Sequence, residues 1–187
     1  QIDFQRDFAR IHEYANQFPA ALEARKEIIE KLSDPLVTDF RALAECALKL
    51  NQLQLAEDAC HSVLEIDPED GLAHALLGEV YSLKGNSKEA EQYLHDSIKF
   101  TPNQALPWLL LARFHNRAGN SLEASETLRK GAQASPEAAE IHLLLGEDYL
   151  LAGAPSQALV SLRKANYLAK SYPPIESFFI QSKIAQP

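Results

Sequence analysis

The apolar residues of this chain recur three and four positions apart, the spacing that lines one face of an α-helix. Small and helix-breaking residues interrupt them at regular distances. The stretch 71–104, GLAHALLGEVYSLKGNSKEAEQYLHDSIKFTPNQ, shows the unit. It predicts two short amphipathic helices, broken at Lys84-Gly85-Asn86 and closed at Thr101-Pro102. The same punctuation returns 34 residues away in both directions, giving four frames, 37–70, 71–104, 105–138 and 139–172.

Read down the frames, the positions form columns. Phe40, His74, Trp108 and His142 hold the first bulky site, and Leu43, Leu77, Leu111 and Leu145 follow three residues on. Directly after comes a small residue: Ala44, Gly78, Ala112, Gly146. Ala47, Tyr81, His115 and Tyr149 form a mixed site, and Asn51, Gly85, Gly119 and Gly153 mark the break. The second half opens on Ala56, Ala90, Ala124 and Ala158, with Cys60, Leu94, Leu128 and Leu162 four residues later. Val63, Ser97, Gly131 and Ala165 follow those by three. Pro68, Pro102 and Pro136 close three frames, and Lys170 takes that place in the fourth.

Each column has a physical reason. The bulky stripe turns one face of each helix toward its neighbour. Small residues such as Gly78 and Ala90 let two backbones approach. Glycine at the break reaches the left-handed conformation that stops a helix. Asn86-Ser87 and Asn120-Ser121 are expected to offer N-cap oxygens to the next helix. The closing proline cannot continue a helix and biases the residue before it toward extended backbone.

This pattern resembles the tetratricopeptide repeat, whose signature runs Trp-x-x-Leu-Gly-x-x-Tyr, then Ala-x-x-x-Phe, then Pro. The resemblance covers residues 37–172, and departures from it are local: histidine stands for the first aromatic in two frames, and Ala47 for the tyrosine in the first. It implies an all-α, right-handed solenoid of helical hairpins. Residues 1–36 are expected to add an N-terminal helical hairpin without the small-residue columns, either a degenerate repeat or a cap. Phe4, Phe8, Ile11, Ala15 and Phe18 line one face of its first helix. Residues 173–187, with Ile175, Phe178 and Phe179, are expected to form a capping helix or the truncated start of a further repeat.

Composition narrows the function. At 46% hydrophobic over 187 residues the chain can bury the core of a short solenoid. No apolar run approaches the roughly 20 residues of a bilayer-spanning helix, so no membrane insertion is expected. Nothing at the N-terminus resembles a signal peptide. The chain starts at Gln1 and has no methionine, and is therefore expected to be a piece of a longer protein. The net charge of −8 disfavours nucleic acid, which needs a basic surface. Frame 37–70 holds eight acidic residues against Arg41 and Lys49, whereas frame 105–138 is slightly basic.

Chemistry is sparse. Cys46 and Cys60 lie on opposite arms of one hairpin without facing each other, which argues against a disulfide and lets them lean toward a reducing compartment such as the cytoplasm. The histidines follow the packing columns, and no zinc-type Cys/His spacing occurs. No phosphate-binding loop, nucleophile elbow or zincin motif is present. Neither a cofactor, a metal nor a catalytic role is expected.

The informative positions are those the packing columns leave over. The resemblance implies that first helices line a concave wall. Their remaining face carries Leu72, Leu106, Leu109, Leu143 and Leu150 with Ala75 and Asn116, among Arg41, Glu45, Glu79, Arg113, Arg117 and Glu147. An apolar strip rimmed by charge is how a peptide or amphipathic helix is recognised, so the expected function is a scaffold for a protein or peptide partner; the other reading of these leucines is that they pack only between adjacent first helices. Two alternatives stand beside it: a structural module that self-associates through its C-terminal helix, or the adaptor arm of a larger enzyme. Relatives of the family that hold the C-terminal carboxylate of heat-shock chaperones use a Lys/Asn/Lys/Arg set on this wall. The positions here are Arg41 with Glu45, Leu76, and Leu106 with Leu110, which does not supply that set.

Overall fold

The computed structural model describes residues 2–171. It places there helices α1 (Ile2–Tyr14), α2 (Phe18–Lys31), α3 (Val37–Lys49), α4 (Leu53–Ile66), α5 (Gly71–Lys84), α6 (Ser87–Phe100), α7 (Ala105–Arg117), α8 (Ser121–Ala134), α9 (Ala139–Leu151) and α10 (Pro155–Ser171). No strand occurs among the described residues. The periodicity predicts paired helices, and the all-α succession of helical hairpins that the resemblance implies is thus the architecture observed within each of the chain's two compact units. The helix expected at 173–187 lies outside the described residues. The chain divides into two compact units after Thr101, with α1–α6 in the first and α7–α10 in the second.

Every helical pair turns in the same way. The break residues Asn51, Gly85, Gly119 and Gly153 have φ of 55°, 82°, 78° and 69°. The amide that follows each reaches back to the mixed-site carbonyl: Gln52 to Ala47 at 2.8 Å, Asn86 to Tyr81 at 2.9 Å, Asn120 to His115 at 2.9 Å and Ala154 to Tyr149 at 2.8 Å. This is the six-to-one bond that satisfies an orphan carbonyl at a helix C-terminus, and it explains why the break selects glycine or asparagine. The expected side-chain caps do not form. Asn86 and Asn120 sit at the N-cap, but their side chains accept no amide. The turn already fixes the entry of the next helix. The side-chain caps lie elsewhere: Asp70 accepts from the Ala73 amide at 2.8 Å, and Asp39 from the Leu36 amide at 3.1 Å.

The first bulky column also resolves. His74, Trp108 and His142 each direct a ring nitrogen at a carbonyl six residues back, that of Pro68, Pro102 or Pro136, at 3.0, 2.8 and 2.9 Å. The carbonyl only accepts, so the ring nitrogen carries the proton. In these three frames the column takes a flat ring with an N–H donor, which histidine supplies as well as tryptophan, whereas Phe40 in the first frame keeps the ring without the donor.

The N-terminal hairpin is closer to the following pairs than its sequence suggests. Asn16 has the same φ of 55° as Asn51, 35 positions later, and the Gln17 amide returns to the His12 carbonyl at 2.8 Å. At that offset Ala9 stands for Ala44 and Ala21 for Ala56, and all four are buried. The small-residue columns are therefore present, displaced by one residue. The correction has a simple cause: one extra residue in the connection to α3 breaks a comparison made at 34. The same offset sets Phe4, Phe8 and Ile11 against Asp39, Leu43 and Cys46. Those three are buried, whereas Phe4, Phe8 and Ile11 are exposed.

Cys46 and Cys60 are free and buried. Burial pushes both thiols up to about 12, helped by the Glu13 charge near Cys46 and the Asp70 charge near Cys60. Ellman's reagent at pH 8 is therefore expected to react with the native protein at least about 100-fold more slowly than with the denatured chain. A fast thiol in the native state would contradict this placement.

Candidate functional site

In the first unit, α1, α3 and α5 together line a cleft of about 420 Å³. Its walls carry Arg6, Arg10, Glu13, Thr38, Arg41, Ala42, Glu45 and Leu72, with Arg25 reaching in from α2 and Asp39 from α3. Three of the expected wall residues, Arg41, Glu45 and Leu72, come together here. Arg6, Arg10, Glu13 and Arg25 were not anticipated. The 35-residue offset that places α1 in register with α3 is the signal that finds Arg6 and Arg10, opposite Arg41 and Glu45.

Most charges of the cleft are committed within the fold. Arg6 grips Asp39 through two bonds, Nε to Oδ1 at 2.9 Å and Nη2 to Oδ2 at 2.7 Å. Burial pushes the Asp39 carboxyl up, but the bonds from Arg6 and the Leu36 amide more than offset it and hold the group below its ordinary value. Arg25 grips Glu13 in the same fork geometry, at 2.9 and 3.1 Å, and the Cys46 thiol donates to Glu13 Oε1 at 3.3 Å. Arg41 is held more loosely: its Nε lies 3.6 Å from Asp70 Oδ2 and makes no hydrogen bond, although it is buried.

Glu45 differs from these. It is exposed, and no hydrogen bond or ion pair engages its carboxylate among the described residues. Crowding by the cleft walls and the neighbouring Glu13 charge raise its pKa above the ordinary carboxylate value, against the opposing pull of Arg41, Arg25 and Lys49.

The remaining expected residues are not all available. Leu109 is 5% exposed and packs with Ala112, Leu128, Ile141 and Leu145. Leu143 is 6% exposed and packs with Ala165 and Ala169. Ala75 is fully buried and Glu79 is 7% exposed. These four side chains have little surface to give a partner. Within the second unit, Leu109 is consumed by packing against α8 and α9, and Leu143 by packing against α10 of its own hairpin, so a change such as Leu109→Asp would attack the core. Leu106 and Glu147 are half-buried, and Arg113, Asn116, Arg117 and Leu150 are exposed in the second unit.

No group of three or more His, Cys, Asp or Glu side chains that could hold a metal ion occurs among the described residues. No described helix is long and apolar enough to cross a membrane.

Residues 47–114 match the family model described as tetratricopeptide repeat. No curated protein sequence matches the chain. Solved structures do resemble it. TTC0263, a thermophilic TPR protein in Thermus thermophilus, aligns with a TM-score of 0.78 over 100% of both chains at 19% identity. MamA 41-end from Desulfovibrio magneticus RS-1 aligns at 0.59, with 19% identity, over 91% of this chain and 96% of that one. A chain of the APC/C hetero-tetramer Cut9-Hcn1 aligns at 0.63 with 17% identity, over 96% of this chain and 35% of that one. The sequence match identifies a tetratricopeptide segment at 47–114, and the structural likeness establishes the fold.

Proposed function

We propose that the protein is an interaction scaffold that holds a partner polypeptide against the wall formed by its first helices. The observation that carries this reading is the cleft on α1, α3 and α5. Successive helices bring side chains from three hairpins to one concavity, and its lining mixes apolar Leu72 and Ala42 with charged Arg41 and Glu45. Such a surface fixes both the register and the orientation of an extended segment. Within the second unit, the exposed side chains of Arg113, Asn116, Arg117 and Leu150, with half-buried Leu106 and Glu147, would offer a partner a surface of their own. Ala75 and Glu79 in the first unit, and Leu109 and Leu143 in the second, serve as buried support within their own units.

The tetratricopeptide segment and the solved relatives favour a scaffold over a catalyst, and no constellation of catalytic groups is apparent in the cleft. Selection from a random peptide library displayed on phage tests the proposal. Thr38 is exposed and lines the cleft, so Thr38→Trp fills it with little effect on the core. Peptides selected on the wild-type protein are expected to lose at least about tenfold in affinity for Thr38→Trp, the loss of a central apolar contact. Selected peptides that bind both proteins equally would place the interaction elsewhere and defeat this reading.

A further inference from the structure

We propose that the cleft on α1, α3 and α5 receives a lysine or arginine side chain of the partner, its cation on Glu45 and its aliphatic stem along Ala42 and Leu72. The inference rests on the peptide-binding reading above and adds the chemistry of the guest.

Three observations point this way. Around the cleft Arg6, Arg25 and Arg41 each face a carboxylate of the fold, on Asp39, Glu13 and Asp70 respectively. Arg10 faces Asp7 at 3.9 Å. Glu45 is the lining carboxylate that none of them engages. An anionic guest would have to displace an existing pair and would meet Glu13, Asp39 and Glu45 as well. A cationic guest displaces no existing pair and meets Glu45, whose charge Arg41, Arg25 and Lys49 offset only from beyond ion-pair distance.

The second observation is the lining itself. Ala42 and Leu72 share the cleft with Glu45 and are half-buried. A carboxylate beside apolar surface suits a side chain with a long hydrocarbon stem and a charged head. The third is long-range. Residues 1–101 hold 19 of the 26 acidic side chains and 10 of the 18 basic ones, so the unit that owns the cleft carries the whole negative balance of the chain. That field draws cations toward it.

The test uses the full chain labelled with ¹⁵N and three N-acetylated, amidated peptides. The first is Ala-Ala-Leu-Arg-Leu-Ala-Ala, the second replaces its arginine with citrulline, and the third replaces it with glutamate. The arginine peptide is expected to shift the amide signals of Ala42, Glu45 and Leu72 saturably. Citrulline keeps the shape and removes the charge, and is expected to bind about fivefold more weakly, the scale of one partly exposed ion pair. Glu45→Gln should bring the arginine peptide down to the citrulline level. That variant removes a charge the fold does not pair, so its thermal unfolding should occur no lower than that of the wild type, which separates lost binding from lost structure.

Equal binding of the arginine and citrulline peptides would overturn the inference while leaving the peptide-binding reading in place. Tighter binding of the glutamate peptide would overturn it in favour of an anion site at Arg10 and Arg41. If none of the three moves the cleft signals, the inference falls, and the Thr38→Trp selection decides the broader reading independently.

Discussion

Glu13→Ala is expected to open the N-terminal hairpin while the following pairs stay folded. The Arg25 side chain is only 7% exposed and lies in the column that Cys60 and Leu94 occupy in the next two hairpins. It is tolerated there because Glu13 answers both arms of its guanidinium. Removing one partner of a buried pair leaves an uncompensated charge, at a cost of about 3–5 kcal/mol. Glu13 is 27% exposed, so water can replace part of what is lost, and the lower end of that range applies. Hairpins in a repeat array contact mainly their neighbours, so the loss stays local. Amide exchange is the measurement: protection across α1 and α2 should fall by roughly 100-fold, about 3 kcal/mol, with α5 nearly unchanged. The double variant Glu13→Leu with Arg25→Leu should recover most of the protection, because Leu48 and Cys60 fill the matching places one hairpin on. Wild-type protection in Glu13→Ala would show that the pair carries no such weight.

The same residues show what the sequence makes legible. Helix positions, breaks and the small columns follow from short-range rules, the spacing of apolar residues and the backbone demands of a turn, and both repeat in every frame. Arg41, Glu45 and Leu72 could be assigned to one wall because they occupy first-helix positions outside the packing columns. Two things were less visible. The N-terminal hairpin looked irregular because one inserted residue shifts its register, which hid Ala9 and Ala21 as columns and Arg6, Arg10 and Glu13 as wall residues. Leu109 and Leu143 looked spare because periodicity within one helix does not reveal how much surface the surrounding helices cover, those of its own hairpin included. That depends on the distance between helices, which the small columns set, and it is a property of packing in three dimensions. The pairing of Arg6 with Asp39 and of Arg25 with Glu13 likewise joins residues 33 and 12 positions apart, beyond any local pattern.

The small columns themselves support the second large prediction. Gly78 lies where α5 meets α6, and a Cβ built there would stand 2.5 Å from Leu94 Cγ, 2.7 Å from its Cδ2 and 3.3 Å from the Ala90 carbonyl oxygen. Leu94 is fully buried and has no room to retreat. Gly78→Val places three carbons in that space, and overpacking of this kind costs about 3 kcal/mol, since the helices must separate. The gain in helix propensity on losing a glycine offsets less than about 1 kcal/mol. Leu94→Ala alone removes a buried leucine and should cost about 2–5 kcal/mol through the cavity it leaves. The two changes are complementary in volume, so the double variant should be more stable than the sum of the single losses by about 1–2 kcal/mol. Urea unfolding followed by circular dichroism at 222 nm gives the three values. The first hairpin of the regular frames already shows the compensated form, where Ala44 is matched with the smaller Cys60. Simple additivity of the two losses would mean that Gly78 and Leu94 do not share one packing site, and the close approach of α5 and α6 would need another cause.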